Sequence, residues 1–152
     1  MANKDNECKN LEILDKYTES INPLADIINT QKKLQEETYK INFKDLTISE
    51  IMDYWHTNTH ALIDEIHEMT DALGGNDNNA VWKTWKAKHN KYKFMYLKDL
   101  SEDERKELIF EWIDCFHFLI NYALSMGLEA HTIYNYYFSK VNENINRQKK
   151  GY

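Results

Sequence analysis

The sequence predicts an all-α protein, a bundle of about four to six helices. Three observations carry this. Apolar residues recur at the 3.6-residue period throughout, not alternately as in strands. Pro23 is the sole proline and glycines number four, so interior helix breakers are almost absent. From Leu108 to Leu124 nearly every residue is apolar, and the polar exceptions fall on one helical strip: Glu104, Glu107, Glu111, Asp114, His117, Asn121 and Ser125. A helix greasy nearly all round is a buried one, so the strip faces either surface water or a matching polar element.

Taken in order, the chain forms one domain, 1–152, behind a polar lead-in over 1–20 with a short helical piece at Leu11 to Tyr17. Pro23 suits a first helical turn. The helix it opens should reach about Lys40, with Leu24, Ile27, Ile28, Gln31 and Leu34 inward. Thr47 or Ser49 caps the next helix, which continues to Leu73 with an interruption near Asn58. Gly74 and Gly75 stop it, and Asn76 to Ala80 is loop chemistry. Val81 to Lys98 is aromatic and basic without clean periodicity. Ser101-x-x-Glu104 is a capping box opening the central helix, and Gly127 closes it. A last helix covers about Ala130 to Gln148.

Composition limits the partners. A net charge of −6 leaves no basic face for a phosphodiester backbone, so nucleic acid is excluded as a partner. A small anionic ligand remains open, because a metal ion inverts local charge. Cys8 and Cys115 have neither zinc nor disulfide spacing, which fits a reducing cytosol, and Cys115 only packs. The hydrophilic start and a mean hydropathy of −0.74 point to a cytoplasmic protein with no secretory leader and no membrane partner.

Two acidic pairs share the i, i+3 spacing. On the earlier helix Leu62, Ile66, Met69 and Leu73 form the buried stripe, widened by Ala61 and Ala72. Glu65 projects inside that arc and Glu68 lies at its edge, while Asp64, His67 and Asp71 point to solvent. A buried carboxylate is costly unless paired or metal-bound. Glu111 and Asp114, one turn apart on the central helix, offer an answer: two such helices side by side gather four carboxylates at one point. Hard oxygen donors suit Mg²⁺ or Mn²⁺ rather than zinc. Each pair alone is equally an ordinary charged helix surface. A di-iron bundle is the rival metal reading; it needs Glu-x-x-His from two helices. The chain has Asp64-x-x-His67 and Asp114-x-x-His117 instead, the first facing outward.

With these residues in view, the sequence resembles the all-α nucleoside triphosphate pyrophosphohydrolases, in their dimeric dUTPase branch and near its phage members that accept dCTP. The likeness rests on Glu65-x-x-Glu68, on Val81-Trp82-Lys83-Thr84-Trp85-Lys86 and on Glu111-x-x-Asp114 followed by His117 and Phe118. It continues in Lys140-x-x-x-Asn144-x-x-Arg147-Gln148-x-x-Gly151-Tyr152, all in the family's order. Asn22-Pro23-Leu24, Gln31-x-x-Leu34-Gln35 and Leu73-Gly74-Gly75 extend it.

The resemblance implies that Glu65, Glu68, Glu111 and Asp114 hold Mg²⁺, with Mn²⁺ as a substitute, on the triphosphate. Water then attacks the α-phosphorus, with Glu65 as the group that orients or deprotonates it. It also implies that Lys86, Lys140, Asn144, Arg147 and Tyr152 contact phosphates. Lys140, Asn144 and Arg147 share one helical stripe, which without the family match reads as a solvated face. Gln31 offers amide groups to a pyrimidine edge, Phe118 a ring to stack on it, and His117 a place against the deoxyribose. Core packing is the plain alternative for Phe118 and Trp85. Two departures stand out: Gln35 where many dimeric dUTPases have Asn, which leans toward dCTP, and Val141 where Asn often follows the lysine.

The expected function is therefore a Mg²⁺-dependent pyrophosphohydrolase of dCTP, dUTP or both, acting as a homodimer. The alternative is a catalytically silent helical nucleotide-binding or protein-interaction module of the same fold.

Overall fold

A computed structural model describes residues 12–73, 92 and 94–151. Among them are four α-helices and no strand: α1 (Pro23–Glu37), α2 (Ile48–Asp71), α3 (Glu102–Ser125) and α4 (Ala130–Lys149). Single 3₁₀ turns lie at Tyr17–Glu19 and Leu97–Asp99. The all-α expectation holds. No helix among the described residues is long and apolar enough to cross a membrane.

Local chemistry explains the helix ends. Asn22 caps α1, its side-chain oxygen accepting from the Ala25 N–H at 3.1 Å with Pro23 in the first turn. The helix stops at Glu37, short of the expected Lys40. Lys40 takes a left-handed φ of 59°, and the Ile41 N–H donates back to the Gln35 carbonyl at 3.1 Å. At the start of α2 the Thr47 N–H donates to the Glu50 carboxylate at 2.8 Å, and the Glu50 N–H donates to Thr47 Oγ1 at 3.3 Å. This reciprocal pair settles the cap on Thr47. α2 runs unbroken through Asn58, which is buried because its amide donates to the Tyr54 carbonyl one turn back at 2.7 Å.

Ser101 and Glu104 form the expected box at α3: the Ser101 N–H reaches Glu104 Oε2 at 2.9 Å and the Glu104 N–H reaches Ser101 Oγ at 3.3 Å. The Tyr92 hydroxyl donates to the other Glu104 oxygen at 2.9 Å. Gly127, at φ +68°, ends the helix in a Schellman arrangement, with Leu128 N–H on Ala123 O at 2.9 Å and Gly127 N–H on Leu124 O at 3.0 Å.

The chain packs as two compact units, Met1–Leu14 with Asp53–Leu119, and Asp15–Met52 with Ile120–Tyr152. In the second unit α1 packs on α4. Its buried positions are Ile28, Gln31 and Gln35 on α1 and Ile120, Asn121, Leu124 and Ser125 on α3. Ile27 and Leu34, expected inward, are exposed, because the buried stripe of α1 follows 28, 31 and 35.

In the first unit the inward arc of α2 runs through Asn58, Ala61, Leu62, Glu65, Glu68 and Met69, with half-buried Ala72 just past the helix end. Ile66 falls outside it and is exposed, and Asp71, expected in solvent, is half-buried near the helix end. Gly74, Gly75 and the loop after them lie outside the described residues.

α3 is turned against simple expectation for a surface helix. Its polar strip is the inner side: Glu111 is 9 % exposed, and Glu104, Glu107, Asp114 and His117 are half-buried. Its apolar Ile109, Trp112 and Leu119 are instead 51, 52 and 53 % exposed. The surface-water reading of the strip is therefore wrong.

Candidate metal centre

α2 and α3 bring one carboxylate oxygen each from Glu65, Glu111 and Asp114 within 4.8 Å of one another. The spacing follows from the elements. Glu65 stands in the middle of the inward arc of α2, and Glu111 and Asp114 lie one turn apart on the inner strip of α3. Glu68, the fourth expected acid, is half-buried one turn on from Glu65 and is not in that tight group. It nonetheless exerts the largest single charge effect on Glu111.

Electrostatics make the cluster costly on its own. Burial pushes the Glu111 carboxyl up to about 7, and the charges of Glu68, Glu107, Asp114 and Glu65 push in the same direction. Glu107, one turn before Glu111, has a buried Oε2 with no hydrogen-bond partner. Burial also raises the Cys115 thiol, with Glu65 adding to it, so this free cysteine is a packing group and not a nucleophile. Converging hard oxygens, mutual repulsion and an orphaned buried oxygen together match the demands of a divalent cation such as Mg²⁺ or Mn²⁺. His117 Nδ1 lies 3.3 Å from Asp114 Oδ1, on the strip and at the margin of the cluster. Asp64 and His67 are both exposed, so they do not join the cluster as a di-iron bundle requires.

The remaining expected site residues fall in several places. Phe118 is half-buried on α3. In the second unit Lys140, Asn144 and Arg147 lie on an exposed face of α4. Lys140 Nζ donates to Glu143 Oε2 at 3.0 Å, and the Arg147 guanidinium donates to the other Glu143 oxygen. These bonds hold the Glu143 carboxyl below its ordinary range. Gln31 is buried, and its amide nitrogen donates to Asn121 Oδ1 at 2.9 Å. Trp85, Lys86 and Tyr152 lie outside the described residues.

Two residues of interest were not among the expected site set, Glu107 and Asn121. The signal for both was their place on the polar strip of α3, which sets them on one side of the helix without saying whether that side turns inward or what each residue meets.

Comparison with known proteins supplies the lineage. No family model matches the chain, and no solved structure matches it. The dCTP pyrophosphatase of Enterobacteria phage LZ5 is 33 % identical over 97 % of this chain and 98 % of its own length. The dCTP pyrophosphatase of Enterobacteria phage T4 is 29 % identical over 70 % of this chain and 65 % of its own. A T4 DNA replication protein is 27 % identical over 66 % of this chain but only 27 % of its own. An acid cluster between two helices, in a chain alignable end to end with a phage enzyme, leads to one conclusion: the chain belongs to the phage dCTP pyrophosphatase family.

Proposed function

We propose that this protein hydrolyses dCTP, dUTP or both to the nucleoside monophosphate and pyrophosphate, in the cytoplasm of a phage-infected host. The observation that carries the reading is the approach of Glu65, Glu111 and Asp114 to within 4.8 Å. The names of the phage relatives give it a substrate.

In this reading Glu65, Glu68, Glu111 and Asp114 hold Mg²⁺, for which Mn²⁺ can substitute. A cation held there would supply charge neutralisation on the triphosphate and a more acidic water. Glu65, central in the buried arc of α2, accepts the proton of the water that attacks the α-phosphorus. The bond from that phosphorus to the bridging oxygen breaks, and the electron pair leaves with pyrophosphate. His117 steadies Asp114 through their 3.3 Å contact and lies against the deoxyribose. Phe118 and Trp85 stack on the base and Gln31 reads its edge. Lys86, Lys140, Asn144, Arg147 and Tyr152 bind the phosphates. The protein acts as a homodimer, which the exposed apolar residues Ile109, Trp112 and Leu119 on one side of α3 support.

The test is a panel of deoxynucleoside triphosphates with Mg²⁺ in ¹⁸O-labelled water. Pyrophosphate should be released from the pyrimidines, and the label should appear only in the monophosphate. Glu65→Gln should abolish turnover. Orthophosphate as product, label in pyrophosphate, or an active Glu65→Gln enzyme would each defeat the mechanism. Tight nucleotide binding with no product would leave a silent binding module.

A further inference from the structure

The outer face of α2 has an unusual make-up. The helix carries neither lysine nor arginine, and its basic side chains are His56, His60 and His67, half of the six histidines in the chain. All three are exposed, away from the inward arc that holds Glu65 and Glu68. Exposed helix positions are ordinarily served better by Lys, Glu or Gln than by His, so helix formation does not account for them. His56 and His60 stand one turn apart, and their rings meet edge to face with centroids 4.9 Å apart. Neither ring hydrogen-bonds to a described residue. Asp64 continues the same exposed face one turn beyond His60, and its carboxylate is likewise unbonded among the described residues.

We infer that His56 and His60 form a two-imidazole chelate on the outer face of α2 for a borderline transition-metal ion such as Zn²⁺, Ni²⁺ or Cu²⁺, with Asp64 in register to add an oxygen. Two histidines at i, i+4 on one helix face have the spacing by which helices hold zinc. Nitrogens bound to one tetrahedral zinc stand about 3.4 Å apart. Rings already in contact reach that separation by turns about their own side-chain bonds. Capture of the ion by one ring then presents the other at high effective concentration, so the pair binds far better than either alone. The absence of lysine and arginine from α2 leaves no fixed positive charge on the helix to repel a dication. Imidazole selects Zn²⁺, Ni²⁺ and Cu²⁺, whereas carboxylate oxygens suit Mg²⁺ and Mn²⁺, so this site and the acid cluster sort metals by donor chemistry. The inference stands apart from the hydrolase reading.

The test uses the full chain in excess Mg²⁺, with Zn²⁺ titrated in. Diethyl pyrocarbonate then modifies accessible imidazoles, and mass spectrometry maps the product. Zn²⁺ should protect His56 and His60 together, at a concentration about tenfold below any that protects His131, an exposed histidine with no second imidazole a turn away. His60→Gln should raise the Zn²⁺ needed to protect His56 about tenfold, and His56→Gln should do the same to His60. Both positions are exposed and Gln is a good helix former, so circular dichroism should be unchanged.

The unmodified protein gives a second measure. Substoichiometric Cu²⁺ should broaden the ring-proton resonances of His56 and His60 before those of the other histidines. Protection of His131 at the same Zn²⁺ concentration would mean adventitious binding and overturn the inference. So would His56 protection that is unmoved in His60→Gln, since a plain ring contact predicts no chelate.

Discussion

Replacing Glu111 with Gln should make the cation-free protein more stable at alkaline pH while destroying its site. The Glu111 carboxyl is pushed from an ordinary 4.5 to about 7, first by burial and then by its acidic neighbours. A carboxyl whose folded pKa is raised takes up protons on folding. Stability present below about pH 4.5 is therefore lost as the pH rises to about 7, and is level beyond it. At about 1.4 kcal/mol per tenfold change in proton affinity, the ceiling is about 3.4 kcal/mol.

Water reaching the half-buried neighbours screens the repulsion, so about 1–2 kcal/mol is the working figure. In a chain of this size that amounts to about 2–8 °C in melting temperature. Thermal unfolding in a chelator at pH 8 should therefore show Glu111→Gln melting above the parent by that amount, with the two nearly equal at pH 5. Adding Mg²⁺ should raise the parent more than the variant. A variant that melts lower at pH 8, or by the same offset at both pH values, would refute the electrostatic account.

Other outcomes follow from the same geometry. Ser101→Ala removes the hydroxyl that caps α3 and should cost about 1 kcal/mol, or about 2–4 °C, by calorimetry. Gly127→Ala should cost about 1–2 kcal/mol in chemical denaturation through backbone conformation alone. A Cβ there meets nothing within 4 Å, while φ stays at +68°. Trp112→Glu places a charge on the exposed apolar side of α3 and should convert a dimer to monomer in sedimentation velocity, with helix content by circular dichroism unchanged.

Much of the fold was legible because its signals are local. Ser101 with Glu104, Pro23 after Asn22, and Gly127 each act within one helical turn, so the residue types alone announce the start of α1 and both ends of α3. The end of α1 was misplaced because Lys40, and not a glycine, adopts the left-handed conformation. Asn58 looked like an interruption because its amide competes for backbone partners; here it bonds within the helix it was expected to break.

At the site, Glu65 was found by burial cost and Glu111 with Asp114 by spacing, both properties of single helices. What meets what across helices was not legible. The Gln31 to Asn121 bond joins residues 90 positions apart, and no periodicity encodes such a pairing. Which side of α3 turns inward was likewise hidden: Ile109, Trp112 and Leu119 are as apolar as the residues that packed.

The Glu107 oxygen left stranded beside Glu111 bears on how long the molecule survives. Like charges crowded together make the empty form open more often, and proteases cut what opens. Capture of a cation and nucleotide at the proposed site would close that door. Such an enzyme would persist while its substrate is plentiful and be cleared once the pool is spent, with no dedicated regulator required.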